Sequence, residues 1–102
     1  MNATQFTTPT FTLTFTEQEL DLTQAQNVYV TFRCGGGFLT KTGADLQISE
    51  KQIDVILSQA ETGGMSGNVE VQVNWTLPNG TRAASTIASV MIDRNLLKRV
   101  VE

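Results

Sequence analysis

The chain contains no histidine and a single cysteine, Cys34. Without imidazole it lacks the commonest general base and the commonest metal ligand. One thiolate cannot supply the several thiolate or imidazole ligands of a zinc site, and it cannot form an internal disulfide. The serine and threonine hydroxyls have no histidine to activate them, and no serine–lysine motif occurs. No cofactor is expected. Charge is sparse too: 17% of residues are Asp, Glu, Lys or Arg, where an ordinary domain has roughly a quarter. The seven basic residues are scattered apart from Lys98-Arg99, and the net charge is -3. Phosphate neutralisation needs clustered Lys and Arg, so no nucleic-acid partner is expected. No apolar run approaches the ~20 residues that span a bilayer, and Met1 to Pro9 lacks the apolar stretch of a secretion signal. A membrane partner is not expected, and synthesis in a cytoplasm is.

What replaces charge is threonine, glutamine, asparagine and serine. Threonine is β-branched and suits a pleated surface. At 102 residues with 40% hydrophobic content, the chain has material for one modest core. Residues 9 to 16 alternate strictly: Phe11, Leu13 and Phe15 on one side, Thr10, Thr12, Thr14 and Thr16 on the other. Period 2 predicts a half-buried strand, and Pro9 fits at its start. Val28, Val30 and Phe32 alternate with Tyr29, Thr31 and Arg33 in a second strand. Gly35-Gly36-Gly37 then predicts a hairpin turn into Phe38–Thr42; no Gly-Lys-Ser/Thr follows, so it is not a phosphate loop.

From Leu46 to Ala60 two patterns compete. Ser49 and Gln52 have capping-box spacing, and Ile53, Ile56, Leu57 and Ala60 share a helical face. The β-branched content and the alternation of Leu46 with Ile48, and of Ile53, Val55 and Leu57, favour a hairpin turning at Ser49 to Lys51. Glu61 to Gly67 reads as a turn. Val69, Val71, Val73 and Trp75 alternate again, and Asn79-Gly80 is a strong hairpin signal. The returning strand is expected from about Arg82 to Asp93, with Ile87 as its central apolar residue. The expected core is Phe11, Leu13, Phe15, Val30, Phe32, Leu57, Val71, Val73, Trp75 and Ile87, with Leu20 and Leu22 as satellites.

The expectation is an all-β, antiparallel, immunoglobulin-like sandwich of about seven strands. It divides into a flexible tail over 1–8, the sandwich over 9–94, and a segment over 95–102 that reads equally as a helical turn or a frayed strand. Several features point to chemistry only weakly. Glu17, Glu19 and Asp21 form an acidic loop, and a calcium or glycosidase site would need acids converging from other segments. Cys34 has no second cysteine, and alternation sets Arg33 on the opposite face. The sequons at Asn2, Asn74 and Asn79 suit a Thr-rich chain by chance. Tyr29 and Trp75 could stack on a sugar, but Trp75 shares its face with three valines. No catalytic or metal-binding residue is assigned.

Asp21-Leu22-Thr23 before Val28–Phe32, then Ile53-Asp54-Val55-Ile56-Leu57-Ser58-Gln59-Ala60-Glu61-Thr62, then Gly67 leading into Val69-Glu70-Val71-Gln72-Val73-Asn74-Trp75, form a pattern. From Asp21 to Asp93 this arrangement resembles the immunoglobulin-like N-terminal domain of phage baseplate upper proteins and small prophage-encoded proteins of Gram-positive bacteria. The resemblance implies a non-catalytic structural or interaction module, made in a bacterial cytoplasm and carried in a virion if assembled. Its partners would be other phage structural proteins or itself as a homo-oligomer. A carbohydrate-binding or adhesin-type module is the alternative, since sandwiches carry such sites on loops and faces. An open sandwich leaves edge strands, and the first strand has no Lys or bulge between Thr10 and Thr16 to protect it. Leu96, Leu97, Val100 and Val101 are apolar beyond the point where the sandwich looks complete. Thr10, Thr12, Thr14, Leu96, Leu97, Val100 and Val101 are therefore the candidate association residues.

Overall fold

The computed structural model describes residues 2–16 and 21–101. In chain order the strands are β1 (Asn2–Thr4), β2 (Thr10–Thr14), β3 (Asn27–Cys34), β4 (Gly37–Thr42), β5 (Leu46–Ile48), β6 (Gln52–Ile56), β7 (Gly67–Thr76), β8 (Arg82–Ala84) and β9 (Ala88–Asp93). A short helix, α1 (Gln59–Gly63), lies between β6 and β7. One sheet has the order β1-β9-β7-β3-β4 with β8 also on β7; the other has the order β2-β6-β5. Stacked face to face, the two make an all-β sandwich. Its strand order is that of an immunoglobulin domain: β2, β6 and β5 stand as B, E and D, and β3, β4, β7 and the β8–β9 pair as C, C′, F and G. Every ladder is antiparallel except β1 on β9.

Alternation decides which side chains meet. Val28, Val30 and Phe32 of β3 and Val69, Val71, Val73 and Trp75 of β7 turn inward, against Phe11, Ile53, Val55 and Leu57 from the other sheet. The Phe11 and Phe32 rings lie 5.9 Å apart across the two layers. In antibody domains a disulfide joins the sheets here in the core; with one cysteine, this chain relies on aromatic and aliphatic packing. Phe15 meets Trp75 edge-on at 5.9 Å, an arrangement the ring quadrupoles favour. The chain changes sheets after Thr42 through a turn of 3-10 helix at Gly43–Asp45. The β3–β4 turn carries Gly35 at φ 59, and the β7–β8 turn carries Gly80 at φ 89. Both angles are accessible to glycine without a Cβ penalty.

The hairpin turning at Ser49 to Lys51 is present, as β5 and β6. A helix nevertheless follows it, within the stretch expected to be strand and turn. Its capping box is Ser58 with Glu61, one strand later than the Ser49 and Gln52 spacing. The expected strand from Arg82 to Asp93 is broken. Ser85 interrupts it: its N–H donates to Val73 O, and its hydroxyl accepts from Val73 N. Ile87 sits in that break, 57% exposed, and is not core.

Part of the expected tail over 1–8 lies in a strand. Asn2–Thr4 pairs in parallel with Met91–Asp93, and Gln5 N donates to Asp93 O. The Gln5 side chain donates to Met65 O and accepts from Asn95 N. Phe6 has φ 59, a conformation that non-glycine residues rarely adopt. Its ring packs over Gly63, where a Cβ would collide with it. Thr62, wholly buried, accepts from Thr7 N and donates to Thr7 O at 2.8 Å. A stretch with no hydrophobic period is fixed by side chains reaching its main chain. Leu20, Glu17 and Glu19 lie outside the described residues; Leu22 is buried and Asp21 caps the 3-10 turn that contains it.

Candidate association surfaces

β2 is an end strand of its sheet. Its ladder to β6 runs Thr10↔Ile56 through Thr14↔Gln52 and is extended at both ends by Leu57 N to Pro9 O and Phe15 N to Lys51 O. Those two bonds fix the phase. In an antiparallel pair, residues alternate between exchanging hydrogen bonds with the partner strand and facing away from it. The odd residues bond to β6, so Thr10, Thr12 and Thr14 turn their N–H and C=O groups to the open edge. The same three side chains are exposed on the outer face of the sheet, and Thr12 Oγ1 donates to Asp54 Oδ1 at 2.8 Å. The structure thus brings the three threonines together twice over, on one face and along one edge.

The remaining candidates are elsewhere. Leu96, Leu97, Val100 and Val101 are exposed by 94, 50, 55 and 42%, and the segment from Arg94 to Val101 is neither helix nor strand. It is nonetheless anchored. Asn95 Nδ2 donates to Gln5 O, and the Gln59 amide donates to Val101 O and accepts from Val101 N. Gln59 on α1 therefore holds the main chain of Val101 as a neighbouring strand would. Among the described residues no hydrogen bond joins this segment to β2.

Sequence reasoning missed a further set of exposed apolar side chains. Phe38, Ile56, Ile87 and Met91 are exposed by 71, 54, 57 and 40%. Phe38 and Ile87 flank a shallow cleft on the outer face of the larger sheet, floored by Thr31 and Gln72. Arg33 pairs with Glu70 at 3.2 Å on this face and lies 6.0 Å from the Phe38 ring. Trp75, one of the two proposed sugar-stacking rings, is buried; only Tyr29 faces solvent. Cys34 is half-buried and donates to Ser66 O.

Larger clefts lie elsewhere among the described residues. One of about 510 Å³ lies beside the 3-10 turn at Leu22, one of about 400 Å³ beside Tyr29 and Arg82, and one of about 390 Å³ between β2 and the β8–β9 break. The last is walled by Thr12, Thr14 and Ser85 and floored by Leu13, Val71 and Val73. No group of three or more candidate metal-binding side chains occurs among the described residues, and none of their helices is long and apolar enough to cross a membrane. A second ion pair ties the short helix to the sheet. Lys41 on β4 bonds Glu61 on α1 at 2.6 Å. Partial burial pushes the Glu61 carboxyl up, but hydrogen bonds from Lys41 and Ser58 and the Lys41 charge outweigh it and hold the group below the usual carboxylate range.

Compared with known proteins, the chain matches no family model, and no curated protein matches it in sequence.

Proposed function

We propose that this chain is a non-catalytic structural or protein-interaction module of a bacteriophage tail or baseplate, or of a prophage remnant. It acts by association with other phage structural proteins or with itself. Two things support this. The sequence from Asp21 to Asp93 resembles the immunoglobulin-like N-terminal domain of phage baseplate upper proteins. The observation that carries the associative part is the β2 edge, where Thr10, Thr12 and Thr14 present main-chain groups with no partner and no protecting charge among the described residues. Such an edge adds a strand from a partner by main-chain hydrogen bonds. Of the two rings named for the carbohydrate-binding alternative, Tyr29 is exposed and Trp75 is in the core.

The test is composition of particles. Phage particles from an induced culture of the source strain are purified through a density gradient and digested for mass spectrometry. The chain is expected at a fixed ratio to tail proteins after high-salt washing. Its absence from particles that carry their other tail proteins would sink the reading.

A further inference from the structure

Among the described residues five strands stand at a sheet edge, and four of them are defended: β8 is three residues long and carries Arg82. β1 and β5 are three residues long. β4 carries Lys41, turned inward and bonded to Glu61, which is a known way of blunting an edge. β2 has neither defence. Counting Pro9 and Phe15, its ladder covers seven residues, none of them charged.

We propose that the open edge of β2 pairs with β2 of a second copy of this chain, antiparallel about Thr12. This rests on the associative reading above and names its partner. The phase is self-consistent. A twofold axis at Thr12 sets Thr12 opposite Thr12 and Thr10 opposite Thr14 of the second copy. These are the residues whose N–H and C=O groups point outward in both copies, so each pair exchanges both hydrogen bonds. A register shifted by one would face them with groups already bonded to β6. The two three-stranded sheets become one of six strands, and Phe11 and Leu13 of each copy meet under the junction. Half-buried Leu13, in the floor of the cleft beside β2, gains cover.

Electrostatics permits the pairing although each chain is -3. The nearest described charge on this face is Asp54, one strand inward and bonded to Thr12. Across the junction the two Asp54 carboxylates stand three strand spacings apart, roughly 14 Å at ~4.8 Å each, beyond the screening length of ~8 Å at physiological salt. An edge of this length buries less than the ~1,200 Å² of a standard interface, so the dimer is weak alone and forms at high micromolar concentration or where an assembly concentrates the chain.

The experiment is sedimentation velocity of the full chain from 10 µM to 1 mM (chosen to span a weak equilibrium), with amide exchange read by NMR at both limits. Expected is a monomer–dimer equilibrium in which Phe11, Leu13 and Phe15 amides are protected throughout. Those of Thr10, Thr12 and Thr14 gain protection only as the dimer forms. Thr12→Pro removes an N–H that serves no bond inside the domain, and Thr14→Lys puts two charges into the junction; each is expected to abolish the dimer, Thr14→Lys at an unchanged melting temperature and Thr12→Pro with the added loss of the Thr12–Asp54 hydrogen bond. Gln47→Lys, at the opposite edge of the same sheet, leaves it intact. If Thr12→Pro fails to fold, Thr14→Lys decides. A wild type monomeric at 1 mM, or a dimer that Thr14→Lys leaves intact, overturns the proposal. Neither result bears on whether the chain is found in phage particles, so the two readings fail separately.

Discussion

β3 and β7 are held in place differently from the first residues of the chain. The two central strands pair over seven positions, from Asn27↔Thr76 to Arg33↔Glu70, and bury every second side chain. Their order follows from a period that the sequence displays. Asn2–Thr7 has no period. It is fixed by a short parallel ladder, by Gln5 and Thr62, and by the Phe6 ring on Gly63. The residues that hold it lie 55, 60 and 90 positions away. Apolar alternation makes a strand anywhere there is a core to face; side-chain clasps make one only where distant residues happen to be delivered.

The largest effect is expected at the centre of the larger sheet. Phe32→Ala removes a buried ring that touches both layers and is expected to cost about 3–5 kcal/mol in chemical denaturation. That is a large share of the ~5–15 kcal/mol a domain of this kind has. A loss below 1 kcal/mol would mean that the sheets are not joined through this ring. Thr62→Val keeps the volume and removes the clasp on Thr7, leaving its partly buried main-chain groups without that partner, at about 1 kcal/mol each, the low end for an unpaired group. Native-state exchange should show the loss concentrated at Ala3 and Thr4, with β3 and β7 amides changed far less. Uniform loss would show that the N-terminal strand and the core unfold together.

Gly63→Ala sharpens the same contrast. The new methyl collides with the Phe6 ring, and the ring, which is partly exposed, can swing out, so about 1 kcal/mol is expected, at the low end for overpacking. A Phe6 ring resonance unchanged by the substitution would contradict the contact. Smallest is Glu61→Gln. The Glu61 carboxyl is held below its ordinary pKa in the folded chain, so its stabilising contribution is present above the ordinary carboxylate range and is lost as pH falls through the lowered value. Wild type should melt above Glu61→Gln at neutral pH, and the gap should close in acid. A gap that is constant with pH would assign the effect to the helix cap alone.

The larger part of the sandwich was legible because burial and period coincide in it. Val30, Phe32, Val71, Val73 and Trp75 announce their strands and their inward faces together. The first strand was legible for the same reason, and so were the three threonines of its edge, since alternation that puts Phe11 inward also puts Thr12 outward. What alternation does not state is the phase of the main-chain bonds, which here depends on Pro9 and Phe15 meeting Leu57 and Lys51. Ile87 was misread because an apolar residue in a long expected strand looks central. Nothing local marks Ser85 as the residue whose hydroxyl replaces a ladder bond. The capping box of α1 was visible as Ser58 with Glu61, but at five residues the helix shows no hydrophobic period to prompt the reading. Gln5, Gln59 and Thr62 carry no signal at all in one sequence, because what distinguishes them is a partner more than forty positions distant.

The one parallel ladder has a mechanical consequence. β1 and β9 run side by side in the same direction, Asn2 beside Met91 and Thr4 beside Asp93. A pull on the two ends of the domain therefore acts on opposite ends of this pair, and loads its bonds in shear, all at once. In an antiparallel pair joined by a turn, a pull on the two free ends opens the bonds one after another, as a zip does. The sandwich thus meets tension along the chain with its cross-linking bonds sharing the load. In single-molecule stretching, a handle at residue 2 and another at residue 94 should require more force to rupture the fold than handles that peel β8 from β7. Equal forces would show that the three-residue ladder yields before it bears weight.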